Sequence, residues 1–258
     1  MKPIHSLCLA LCAMTAPLAS SANGGIIDVH VVPDRGVESP RYRAYPAGCR
    51  TGEYYYVEAA RGERYSIRVS NRSNRRIGVV IAVDGRNIIS GMRSYLRNTE
   101  PMYLIDPWET QTFEGWRTGM ARTNRFFFTD ASSSYAQKVF ADGSAMGTIA
   151  VAAFYEKQVT PVTPPFRRHK GEADDRSLSE GSSSKRSEQA GTGFGETTYS
   201  PAYEVPFEPE SREAARVVLK YEWRDELCRK GIAHCEPANR FWPVSDGFAP
   251  IPHDFRER

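Results

Sequence analysis

At 258 residues, with 34 Lys+Arg against 31 Asp+Glu, the chain carries a formal charge of +3 and is 40% hydrophobic. A balance this close to neutral excludes a broad electrostatic footprint for nucleic acid. The length suits one large all-β domain, or a core domain with a smaller tail.

Residues 1–22 read as a cleavable secretory signal. Lys2 gives the positive start, Leu7 to Ala16 the apolar run, Pro17 the break, and Ser20-Ser21-Ala22 the small residues of a cleavage site. The run is about half of the roughly 20 residues that cross a bilayer, and no later segment is apolar enough to span one. Cys8 and Cys12 follow leucines rather than small residues, which argues against lipidation. No twin arginine is present, so export in unfolded form is expected, with the mature chain periplasmic or secreted. Cys49, Cys228 and Cys235 remain in a compartment that permits a disulfide. The Cys228–Cys235 pairing is favoured, because Gly231 lets the chain turn back between them; an odd count leaves Cys49 over.

From Ile26 to Lys157 short β-type runs alternate with turn signals. Ile26–Val32, Tyr42–Tyr45, Tyr54–Ala59 and Tyr65–Ser70 come first, rich in β-branched and aromatic residues. Ile77–Val83 then runs into Asp84-Gly85, and Asn87–Ser90 returns. Asp-Gly between apolar runs predicts a type I′ hairpin, whose two central residues both need positive φ. Met102–Ile105, Thr110–Trp116, Arg125–Thr129 and Thr148–Tyr155 complete the set. The near-continuous apolar run Ile149–Phe154 suits a strand covered on both faces. Residues 158–200 read as a linker: Val159–Pro165 is proline-rich and extended, and Gly171–Gly195 holds too few aliphatic residues to offset its ordering entropy, so it is expected to be disordered. Residues 201–258 read as a tail. Val217–Tyr221 is a strand, Trp223–Lys230 a two-turn helix stopped by Gly231, and the last stretch wraps the surface on Phe241 and Trp242.

Several segments together resemble a family of uncharacterised exported proteins from Proteobacteria. They are Asn71-Arg72-Ser73, Val83-Asp84-Gly85, Gly115-Trp116-Arg117, Ser134-Tyr135-Ala136 and the closing apolar strand Ile149–Glu156. The resemblance covers about residues 53–157 and is looser over Gly191–Gly195 and Tyr221–Gly231. It implies export and no particular activity. This chain departs from the family pattern at Phe194, where a histidine is expected within a glycine-rich segment, and at Tyr221-Glu222, where Tyr-Asp is expected.

Candidate chemistry is sparse. His30, His169, His234 and His253 have no partner at metal-ligand spacing, and neither a metal nor a cofactor is expected; His234-Cys235 beside Cys228 suits a disulfide better than a soft metal. Ser132-Ser133-Ser134 needs a base such as His30 and a group to orient it before it is a nucleophile. Asp106 and Glu109 flank Pro107-Trp108, but one turn supplies acids without the sugar groove a glycosidase needs. Gly191-Thr192-Gly193-Phe194-Gly195 lacks the lysine and helix of a phosphate loop, and reads as a flexible loop or a close backbone contact. Arg72, Arg75 and Arg76, and Arg167-Arg168-His169-Lys170, form basic loops that suit either solvent or anionic envelope lipid. Trp116, Arg117 and Tyr135 are the candidate binding residues, as an aromatic platform with a stacking guanidinium or as an aromatic plug of the core.

The expected protein is thus an antiparallel β-sandwich over residues 23–157, a disordered linker, and a C-terminal strand-helix unit packing back on the sandwich. It is expected to be non-enzymatic and to interact with an envelope protein or a glycan. Two versions differ in the tail: added as a strand in cis it closes a monomer, and in trans it assembles copies. A carbohydrate-binding or small-ligand module, including the case of a degenerate hydrolase, is the second expectation; it places Trp116, Arg117 and Tyr135 around one concave pocket.

Overall fold

A computed structural model of the chain describes residues 25–45, 52–158 and 189–235. The signal segment, Cys49, His169, the Arg167–Lys170 loop, most of the linker, and the tail with Phe241, Trp242 and His253 lie outside the described residues. No helix among the described residues is long and apolar enough to cross a membrane.

The expected sandwich is present. One sheet is built on β1 (Ile27–Pro33), β4 (Arg64–Asn71), β10 (Arg122–Asp130) and β12 (Ala190–Thr192), in that order; β8 (Thr110–Phe113) pairs with β4, and β9 (Gly115–Gly119) and β13 (Thr197–Tyr199) pair with β10. The other runs β2 (Arg41–Arg43), β3 (Glu53–Ala59), β14 (Ala215–Trp223), β11 (Thr148–Tyr155), β5 (Ile77–Val83) and β6 (Arg86–Asn87), with β7 (Tyr103–Ile105) also on β5.

The period-two rule fixes which residues meet between the sheets. Ile27, Val29 and Val31, then Tyr65, Ile67 and Val69, then Phe126 and Phe128 line one inner face. Ile77, Val79, Ile81 and Val83, Ile149, Val151 and Ala153, and Val217, Leu219, Tyr221 and Trp223 line the other. Tyr65 stacks between Phe126 and Phe128, with ring centroids at 5.4 and 4.2 Å. The alternate residues Val80, Ala152 and Phe154 form a second cluster on the outer face, under Leu96 and Met102. That outer cover explains why Ile77–Val83 and Ile149–Phe154 carry almost no polar residues.

The Asp84-Gly85 turn is as expected, with φ of 49° and 78° at its two residues. The C-terminal helix is α2 (Arg224–Arg229). It ends where Gly231 N–H donates to the Cys228 carbonyl and Ile232 N–H to the Leu227 carbonyl, both at 2.9 Å, a Schellman stop. Cys228 and Cys235 form a disulfide with a Cα–Cα distance of 5.6 Å. Reduction, or Cys228→Ser, is expected to destabilise the α2 end by about 2 kcal/mol, because the closed loop is short. A melting curve with and without dithiothreitol reads this, and no shift on reduction removes the clamp's role.

Three features differ from the sequence expectation. The C-terminal strand does not dock at an edge: β14 lies between β11, antiparallel, and β3, parallel. The sheet is therefore mixed, because β14 arrives by a long connection rather than a hairpin. The stretch expected to be disordered through Gly195 and Ser200 is ordered from residue 189, as β12 and β13 pair with β10. A six-residue helix, α1 (Tyr135–Phe140), follows a 3-10 turn at Ala131–Ser133; its run is too short to show amphipathic periodicity.

Candidate functional site

The glycine-rich segment gains order through close contact of its backbone with β10, together with the side chains of Thr192 and Phe194. A Cβ on Gly193 would lie 2.1 Å from the Phe127 ring and one on Gly195 2.8 Å from the Arg125 carbonyl oxygen, so the absence of side chains here lets this backbone approach β10. The close-contact reading of Gly191–Gly195 thus holds, and the flexible-loop reading is corrected. In place, Thr192 N–H donates to Asp84 Oδ2 at 2.7 Å.

Asp84 does far more than make a turn. Its carboxylate is fully buried and accepts from Gly147 N–H at 2.8 Å, Thr192 N–H at 2.7 Å and the Tyr221 hydroxyl at 2.6 Å. A hydroxyl chain continues inward: Tyr221 to Thr192 Oγ1 at 2.7 Å, and Thr192 to the Tyr65 hydroxyl at 2.7 Å. Burial pushes Asp84 up to about 6, with the Tyr221 hydroxyl and the backbone N–H groups opposing it. Burial also drives Tyr65 and Tyr221 well above their ordinary range, and the Asp84 charge adds to this. Four chain segments meet on this one carboxylate: the β5–β6 turn, the start of β11, β12 and β14. The network is sealed from solvent, so it ties the fold together and offers no surface to a substrate.

The other sequence candidates also have structural partners. His30 sits between Asp28 at 3.2 Å and Glu38 at 2.9 Å. Although burial works against it, Arg41 and His30 hold Asp28 down at about 2. Ser134 is buried; its hydroxyl donates to the Ala131 carbonyl at 2.7 Å and accepts from Gln137 N–H at 3.2 Å, so it caps α1. Asp106 pairs with Arg76 at 3.0 Å, and the Trp108 between the two acids takes a φ of 64° in an exposed turn. Asn71 is buried, donating to the Arg75, Ile105 and Asp106 carbonyls and accepting from Ser73. The basic loop after it is neutralised, Arg72 by Asp28 at 2.5 Å and Arg75 by Glu210 at 2.5 Å. Among the described residues, no group of three or more His, Cys, Asp or Glu is placed to hold a metal.

The expected pocket of Trp116, Arg117 and Tyr135 does not form. Trp116 and Arg117 are neighbours on β9 and so face opposite sides of the sheet. Trp116 is 2% exposed, donates its indole N–H to the Gly193 carbonyl at 3.0 Å, and packs on Phe126 and Tyr135. Arg117 turns outward, donating to the Tyr103 hydroxyl at 2.7 Å and to the Ser200 carbonyl at 2.9 Å.

Two surface features result. Around α1, the Tyr135 ring lies against Phe194 at 5.2 Å and Phe140 at 5.6 Å. Val139, Phe140 and Phe194 are 58%, 36% and 43% exposed. Arg86 covers the Phe140 ring at 4.0 Å and pairs with Asp142 at 2.7 Å, and Arg93 donates to Ser144 at 2.9 Å. On the Arg117 side, a groove of about 890 Å³ opens between the extended residues 200–209 and the β7–β8 region; Ile89, Met102, Tyr103, Phe113 and Phe207 are among its walls. Sequence reasoning passed over both. Phe140 and Phe194 lie in segments read as loop or linker, and the groove forms between segments far apart in the chain. No family model, curated protein or solved structure matches this chain.

Proposed function

We propose that this chain is an exported, non-enzymatic β-sandwich of the bacterial envelope, acting as a protein-interaction or structural module through the aromatic surface around α1. The secretory-type N-terminus and the resemblance to exported proteobacterial proteins support the compartment. One observation carries the mode of action: Phe140 and Phe194, both exposed, each pack on the Tyr135 ring, with Val139 exposed on the same short helix, whereas the buried polar groups Asp84, Asn71 and Ser134 are engaged in ties within the fold. Exposed aromatic clusters on a well-packed support are a recurring basis for association.

Crosslinking in intact cells followed by mass spectrometry tests this. The wild-type chain is expected to capture a defined envelope protein, and Phe140→Ser/Phe194→Ser to lose that capture roughly tenfold, about 1.4 kcal/mol, with an unchanged circular dichroism spectrum. Undiminished capture by the double variant rejects the surface.

A second reading is a carbohydrate-binding module. It is favoured by the same rings being rimmed with Arg86, Arg93, Asp142 and Ser144, a mixture of apolar planes and hydrogen-bonding groups that suits a sugar. Retention of the mature chain on one class of sugar in a glycan array, lost in the same double variant, selects this reading over the first.

A further inference from the structure

We propose that the groove between residues 200–209 and the β7–β8 region is occupied by the chain's own proline-rich segment, residues 159–166. The proposal is independent of the surface around α1.

The path of the chain delivers that segment to the groove. Beyond β11, residues 155–157 run antiparallel to residues 208–210. Glu210 N–H donates to the Tyr155 carbonyl at 2.8 Å, and Lys157 N–H to the Glu208 carbonyl at 2.8 Å. The Lys157 ammonium lies 2.6 Å from the Glu208 carboxylate. Glu156 bridges to Pro209 and donates its N–H to the Arg76 carbonyl at 3.2 Å. Arg76 and Pro209 are both groove walls. Gln158 therefore leaves the body of the protein at the groove's mouth.

Reach agrees. Eight residues in a polyproline II conformation extend about 25 Å, and the extended wall they would follow, residues 201–209, spans at most about 30 Å.

Chemistry agrees as well. Four of the charged groups of the groove, Arg76, Glu100, Asp106 and Arg117, already have partners, and the fifth, Glu204, is exposed. Arg117 donates to Tyr103, Gly119 and Ser200. Glu100 accepts from Ser94, Tyr95 and Arg97. Arg76 pairs with Asp106. Beside these polar groups stands an aromatic and aliphatic wall of Ile89, Met102, Tyr103, Phe113 and Phe207. Such a wall suits an occupant with apolar bulk and few N–H groups to satisfy. Val159-Thr160-Pro161-Val162-Thr163-Pro164-Pro165-Phe166 supplies three prolines, which have no N–H, along with two valines and a phenylalanine. Aromatic-lined grooves hold proline-rich chains in this way because their conformation is already restricted before docking.

The test uses the full mature chain with a benzophenone amino acid at Val162, irradiated and mapped by mass spectrometry. Adducts are expected at groove residues of the same chain, Met102, Tyr103 or Phe207, in a yield unchanged over a hundredfold dilution and at least tenfold above that from the same probe at Ser182. Adducts outside the groove, equal yields from the two probes, or no adduct overturn the proposal. A yield that falls on dilution, with crosslinked dimers, assigns the groove to a second copy and overturns it too. Hydroxyl-radical footprinting of the unlabelled chain is the second measurement. Replacing residues 159–166 with a Gly-Ser segment of equal length is expected to raise oxidation of Met102 several-fold; equal rates in the two chains overturn the proposal.

Discussion

A chain ending at residue 157 is expected not to fold. It lacks β14, the interior strand that pairs with β3 on one side and β11 on the other. Val217, Leu219, Tyr221 and Trp223 are all buried in the core. At about 1.5–3 kcal/mol for each large apolar side chain, these four alone contribute on the order of 6–12 kcal/mol. That matches the entire net stability of an ordinary domain, roughly 5–15 kcal/mol. The truncation also removes β12, and with it one donor to Asp84. Its expected signature is a collapsed near-ultraviolet circular dichroism signal, dye binding and aggregation in light scattering. A soluble truncated chain with a sharp, cooperative melting transition would show that residues 23–157 form a complete unit, and would refute the interior placement of β14.

The second large effect is at Asp84. Asp84→Ala leaves the Gly147 and Thr192 N–H groups and the Tyr221 hydroxyl without their acceptor in a fully buried place. Stranded buried donors cost about 1–3 kcal/mol each, so a loss of about 4 kcal/mol in urea unfolding is expected. Asp84→Asn keeps an acceptor and a residue that tolerates positive φ, and is expected to cost about half as much. A loss below about 1 kcal/mol for the alanine variant would show that the network contributes little.

The same carboxyl also sets a pH dependence. Folded Asp84 holds its proton up to about pH 6, against an ordinary value of 3.8. Between those values the native state binds more protons than the unfolded chain. This group's contribution is therefore fully present below pH 3.8 and is lost as pH rises through 6. A shift of this size corresponds to about 3 kcal/mol. Comparing the wild type with Asp84→Asn isolates it: the difference in stability between them should change by that order from pH 4 to pH 7. Asp28, held down at about 2, acts in the opposite direction and at lower pH, so it does not confuse the comparison.

Much of this fold is legible in the residues. Runs rich in β-branched and aromatic residues located β1, β3, β4, β5 and β14, and Asp84-Gly85 gave the hairpin turn, because both signals are local and steric. Gly231 marked the end of α2 for the same reason, and the short Cys228–Cys235 spacing suggested the bridge. Local signals say nothing of partners, however. β12 has no β-type composition; it is a strand because Ala190, Gly191 and Thr192 are small enough to lie against Asp130, Thr129 and Phe128. The parallel pairing of β14 with β3 is a matter of topology rather than composition. Asp84 read as a turn residue because turn chemistry accounts fully for an aspartate before glycine, which hid its second role. The division of Trp116 from Arg117 was available from strand periodicity, since consecutive residues of one strand cannot line the same pocket.

The parallel β3–β14 pair also bears on the order of events during biogenesis. Val217 lies beside Glu53, so the second sheet has a gap at its centre until residues 217–223 have been synthesised. A chain emerging N-terminus first from synthesis can make the β5–β6 hairpin early, but the β3 and β11 edges stay apart until β14 emerges. Contacts this distant in sequence form slowly. The interior position of β14 thus delays completion of this sheet until residues 215–223 are available to fill it.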